Sequence, residues 1–77
     1  MDFKVGDRVI VNLDNEPLCS QMSKDYWRNQ IGTVKSVPDN FHVRVVMDDK
    51  KRFIASVVSL RFRWCTKLDT QMALVFP

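Results

Sequence analysis

Phe41-His42-Val43-Arg44-Val45-Val46-Met47-Asp48 is the stretch on which the fold turns. Phe41, Val43, Val45 and Met47 take every second place, with His42, Arg44, Val46 and Asp48 between them. A period of two belongs to a strand with one face on a core and the other in solvent. Working outward, Pro38-Asp39-Asn40 is a turn, because Pro fixes φ while Asp and Asn tolerate left-handed backbone. Before it, Gln30–Val37 reads as a strand, and its interior Gly32 signals a bulge or a close backbone approach. After it, Asp48-Asp49-Lys50-Lys51 reads as a charged hairpin turn leading into a strand at Arg52-Phe53-Ile54-Ala55. A short turn at Ser56–Val58 then leads to a last strand, Ser59–Trp64. There Leu60, Phe62 and Trp64 face one way, and Arg61 and Arg63 the other. At the N-terminal end the turn Phe3–Asp7 precedes the first strand, Arg8–Asn12, with Val9 and Val11 on one face.

Residues 13–29 are the longest irregular stretch, broken by Asn15, Pro17, Ser20 and Ser23. Connections of this length in a small domain often carry function. Within them Ser23–Arg28 can form a single helical turn with Ser23 as its cap. Five short strands, one long first loop and almost no helix predict an all-β fold, a small five-stranded barrel over residues 1–64. Closing the sheet hides its edges and gives so short a chain a two-sided core. Residues 65–77 are expected to form a tail. Its apolar run Met72-Ala73-Leu74-Val75-Phe76 either packs back on the barrel or docks into a partner.

Seventy-seven residues bury only about 60–65% of the surface of the unfolded chain, which leaves no room for a separate cofactor domain. No cofactor is expected. No apolar run approaches the roughly 18 residues of a membrane span, and the first residues lack a signal-peptide pattern. With two cysteines, Cys19 and Cys65, and no C-x₂-C pair, neither a disulfide framework nor a structural zinc site is expected. The expectation is a cytoplasmic protein with reduced thiols and no membrane contact.

Val5-Gly6-Asp7-Arg8-Val9, Ile31-Gly32-Thr33-Val34-Lys35-Ser36-Val37 and Val43-Arg44-Val45 together resemble the opening strands of KOW-type domains in the SH3-like small-barrel group. Asp25-Tyr26-Trp27 followed by Ile31-Gly32-Thr33-Val34 is also similar to the small stromal subunit of photosystem I that helps dock ferredoxin, itself an SH3-like barrel. The resemblance spans about residues 3–64. It implies a fold in which Gly32 sits where the barrel bends and the last strand pairs with the first, bringing Arg8 beside Arg61 and Arg63. Because one such barrel serves many roles, it leaves function open.

The net charge of +3 conceals a basic middle: residues 23–67 carry ten Lys and Arg against four Asp, a balance of +6. That bias suits a polyanionic partner, either nucleic acid or an acidic protein surface. Tyr26 and Trp27 in the long loop, flanked by Lys24 and Arg28, offer rings for stacking beside charges for phosphate. Trp27 is the ring more suited to covering the core, and Tyr26 the more exposed. His42 and Arg44 face outward on the third strand, and Lys50, Lys51 and Arg52 lie on the hairpin beside it. With Arg61 and Arg63, these cations form a phosphate-tracking stripe if they converge, and only keep the barrel soluble if they scatter.

Enzyme chemistry is not expected. The chain has no G-x-x-x-x-G-K, G-x-S-x-G or H-E-x-x-H, and its single histidine has no nucleophile with an orienting carboxylate nearby in sequence. The expected function is a non-enzymatic module that binds nucleic acid, or a nucleoprotein assembly, through a basic face. The alternative is a protein-docking adaptor or accessory subunit using loop 13–29 and the C-terminal tail.

Overall fold

Alternating hydrophobicity resolves into five strands in the computed structural model, which describes residues 3–55 and 57–68. They are β1 (Arg8–Val11), β2 (Gln30–Ser36), β3 (His42–Met47), β4 (Val58–Arg61) and β5 (Cys65–Lys67). A seven-residue helix, α1 (Gln21–Trp27), stands between β1 and β2, and a 3-10 turn, Phe62–Trp64, between β4 and β5. Every strand pairs antiparallel with its neighbour, and the sheet runs β4-β3-β2-β1-β5. The small all-β architecture expected from the alternation is the one adopted. No helix among the described residues is long and apolar enough to cross a membrane.

The sheet curls so that one face becomes the interior. Val9 and Val11 of β1, Val34 of β2, Val43, Val45 and Met47 of β3, and Leu60 of β4 all point into it. Phe3, Leu13, Phe53 and Cys65 close the core from the connections and from β5. Burial pushes the Cys65 thiol up to about 11, so it stays protonated and unreactive at neutral pH. Cys19 is also a free thiol.

Four expectations need correction, each for a local reason. Arg52–Ala55 is not a strand. The Asp49 carboxylate accepts the amides of Lys51 (3.1 Å) and Arg52 (3.0 Å), and the Asp49 carbonyl accepts that of Phe53 (3.0 Å). A side chain that captures two successive amides, with its own backbone carbonyl taking the third, winds a turn in place of a ladder. The last strand is not continuous over Ser59–Trp64 either. β4 and β5 lie at opposite edges of the sheet, and the 3-10 turn carries the chain between them before pairing resumes at Cys65, opposite Val11. The helix is longer than one turn and is capped by Ser20, whose hydroxyl accepts the Ser23 amide at 3.1 Å. Finally, Phe41 stands outside β3 and is exposed, because its amide turns to Asp39 instead of to a strand partner. The apolar run at 72–76 lies outside the described residues.

Gly32 accounts for how closely β2 and β3 approach. It pairs with Met47, and a Cβ at this position would meet the Val45 Cγ1 and lie 2.8 Å from the Val46 carbonyl oxygen. A backbone oxygen cannot step aside cheaply. The bulge lies farther along, where the register shifts between Val34 and Ser36 and leaves Lys35 as the extra residue. Gly32→Ala is therefore expected to cost about 1–3 kcal/mol through overpacking, read from the midpoint of chemical denaturation. An unchanged midpoint would refute the close approach.

Candidate functional site

With Val43, Val45 and Met47 turned inward, strand geometry turns His42, Arg44 and Val46 out. Across the ladder Arg44 sits opposite Ser36 of β2 on one side and Ser59 of β4 on the other, while His42 sits opposite Arg61. Arg44 and Arg61 are thus diagonal neighbours on one face, about 7–8 Å apart at the backbone. The bulge adds Lys35, which with Ser36, Arg44, Val57 and Ser59 lines an open groove. Among the described residues no carboxylate pairs with Lys35, Arg44 or Arg61. The Arg61 guanidinium instead lies 5.9 Å from the centre of the Trp64 ring. His42 meets the Asp39 carboxylate at 3.1 Å. Amides from Phe41 and His42, together with that ring, hold Asp39 below the usual carboxylate range.

The remaining candidates lie elsewhere. Lys24, Tyr26, Trp27 and Arg28 belong to α1 and its C-terminal end, and Lys50, Lys51 and Arg52 to the turn beyond β3, at the opposite end of that strand from His42. Four of this second group, Tyr26, Trp27, Arg28 and Arg52, are engaged in packing and ion pairs. Trp27 is half-buried with its ring 4.7 Å from that of Phe53, and Tyr26 stands edge-on to both. The Tyr26 hydroxyl donates to the Arg52 carbonyl (2.6 Å), and the Arg52 guanidinium donates back to the Tyr26 carbonyl (2.8 Å) while lying over the Tyr26 ring. Arg52 thus straps the turn to the helix. Arg28 bridges Asp14 (2.7 Å) and Asp25 (2.8 Å), and the Asp14 hydrogen bond raises its pKa further.

The expected row of Arg8, Arg61 and Arg63 does not form. β1 does pair with the last strand, but that strand is Cys65–Lys67. Arg8 spans the sheet to the Asp48 carboxylate (2.9 Å) and the Thr33 hydroxyl (2.8 Å). Arg63 reaches the first loop, where Glu16 accepts from its guanidinium (2.7 Å) and from the Trp64 indole N–H (2.8 Å). Arg8, Arg28, Arg63 and Lys67 are therefore neutralised by carboxylates. Among the described residues Lys4, Lys24, Lys50, Lys51 and Arg52 have no such partner elsewhere, and Lys35, Arg44 and Arg61 form the set without one on the outer face of β2, β3 and β4. Sequence reasoning missed Lys35, Ser36 and Ser59 on that face. Their only signal was register, which the bulge at Lys35 conceals.

Cationic donors flanked by hydroxyls on an open sheet face have the chemistry to bind phosphate oxygens. Among the described residues no group of three or more His, Cys, Asp or Glu gathers to hold a metal. No family model, curated protein or solved structure matches this chain.

The carboxylates generate a pH prediction. Asp7, Asp14, Glu16, Asp39 and Asp48 all sit below their usual range, held there chiefly by hydrogen bonds from backbone amides or guanidinium groups. A depressed folded-state pKa stabilises the fold above the unfolded value of about 3.9–4.3 and ceases to do so as pH falls through the folded value. The Tm is expected to stay level from pH 7 to about 5 and to fall below about 4. Glu16→Gln should lower the pH 7 Tm and shift the Trp64 emission. A Tm that rises on acidification below pH 4 would contradict the pairing.

Proposed function

We propose that this chain is a non-enzymatic binding module of the SH3-like small-barrel type that contacts nucleic acid through the outer face of β2, β3 and β4. One observation carries the reading: Lys35, Arg44 and Arg61 share that face with no carboxylate within ion-pair distance among the described residues, Glu16 feeling Arg61 only at longer range, whereas Arg8 and Arg63 each have one such partner and Arg28 has two. Like charges on one sheet face repel, and an anionic ligand relieves them. Ser36, Ser59 and His42 add short polar groups of the kind that position a sugar-phosphate backbone without reading its sequence. The strand order β4-β3-β2-β1-β5, with a 3-10 turn before β5, supports the SH3-like assignment.

A second reading, a protein-docking adaptor, is favoured by a separate feature. Leu18, Met22 and Ile54 are almost wholly exposed around α1 and the turn it packs on. Exposed apolar side chains suit an apolar partner surface. None of the three belongs to β2, β3 or β4, so the two readings make distinct demands on mutants.

Fluorescence anisotropy with labelled single- and double-stranded oligonucleotides at 50 and 200 mM salt tests the proposal. Binding should weaken steeply at the higher salt, since each phosphate contact releases counterions. Arg44→Ala combined with Arg61→Ala should reduce affinity about tenfold or more at the lower salt. It should also shallow the log–log salt slope by about 1 for each lost contact. Both positions are exposed, so stability should change by no more than about 0.5 kcal/mol. Arg28→Ala should leave the salt slope intact. No binding at 50 mM salt, or equal loss in the Arg28 variant, would overturn the proposal.

A further inference from the structure

We infer that the groove beside Phe41 is a stacking seat for an unpaired base, so that the outer face takes single-stranded in preference to duplex nucleic acid; this rests on the nucleic-acid reading above. Phe41 is 70% exposed and presents a free aromatic surface. Its position is tightly held. The Asp39 carboxylate accepts the Phe41 amide at 2.7 Å and the His42 amide at 2.8 Å, and the Phe41 carbonyl accepts the Phe62 amide at 2.8 Å. A ring on a backbone pinned from both sides loses little freedom when a ligand lands on it.

Phe41 forms one wall of an open groove of about 440 Å³, shared with Asn40, Arg61, Phe62 and Arg63. Phe62 is itself backed by the core ring of Phe3, with centroids 5.1 Å apart, so this part of the groove is firm and apolar. Arg61 stands at the edge, and from it the cationic face continues through Arg44 to Lys35. One end of the face therefore offers a π surface and the rest offers charge. Asp39, the nearest acidic residue in sequence, is occupied by two amides and the His42 ring.

That combination selects its occupant by chemistry. A strand with a charged backbone and a free aromatic face satisfies both parts at once. The bases of a duplex are stacked on one another and present only edges, so a duplex can reach the cations but not the ring. An acidic peptide without aromatic or apolar side chains would likewise satisfy the charge and leave Phe41 uncovered.

The test uses the full chain with three probes: oligothymidine of about ten nucleotides, a mixed-sequence duplex of matched phosphate number, and heparin as a polyanion without bases. The unaltered protein should bind oligothymidine more tightly than the duplex. Phe41→Ala should weaken oligothymidine binding about tenfold, within the span expected for one stacked base, and leave duplex and heparin binding unchanged. Phe41→Trp should retain single-strand affinity and add fluorescence quenching on titration. Unaltered single-strand affinity in Phe41→Ala, or equal losses for all three probes, would overturn the stacking seat alone. Failure of the unaltered protein to bind any of the three would overturn the nucleic-acid reading with it.

Discussion

The register of β3 is the constraint on which the rest depends. Val43, Val45 and Met47 are almost wholly excluded from solvent, and β3 is held between β2 and β4. A slip of one residue would exchange the two faces, putting the Arg44 guanidinium into a core that has no partner for it. Hydrophobic burial that stabilises the curled sheet therefore also fixes the cation outside, between Ser36 and Ser59. Gly32 tightens the arrangement by letting β2 approach the β3 backbone at Val46. Core and candidate site are two faces of one strand.

The carboxylates decide which cations remain available. A net charge of +3 says little by itself, because the acidic groups are not spread evenly over the folded surface. Asp48, Asp14, Asp25 and Glu16 are positioned on Arg8, Arg28 and Arg63, and the Glu16 pair also receives the Trp64 indole. These contacts tie the first loop and α1 to distant parts of the chain. Each exposed pair contributes modestly, yet each removes an arginine from duty as a phosphate donor. On the outer face of β2, β3 and β4, Lys35, Arg44 and Arg61 have no such pair among the described residues.

Much of this was legible in the residues. The alternation at 41–48 located β3 to within one residue, and β-branched runs located β1 and β2. What escaped depended on side chains capturing backbone amides. Asp49 draws in Lys51 and Arg52, so Arg52–Ala55 reads as a strand yet folds as a turn. Asp39 does the same to Phe41 and so turns an apparent core residue outward. The grouping of the basic residues was harder still. Arg61 and Arg63 share a period-two face on paper, but a 3-10 turn begins between them and sends Arg63 to Glu16. Periodicity gives the face of a residue only while the strand lasts.

Amide chemical-shift mapping of the labelled protein during titration with an oligothymidine tests the central claim most directly, because it reports location independently of affinity. The largest changes are expected at Lys35, Ser36, Phe41, His42, Arg44, Ser59 and Arg61, with little movement at Lys24–Arg28 or Lys50–Arg52. Perturbations centred on α1 and the Asp49 turn, or none at saturating oligonucleotide, would contradict it.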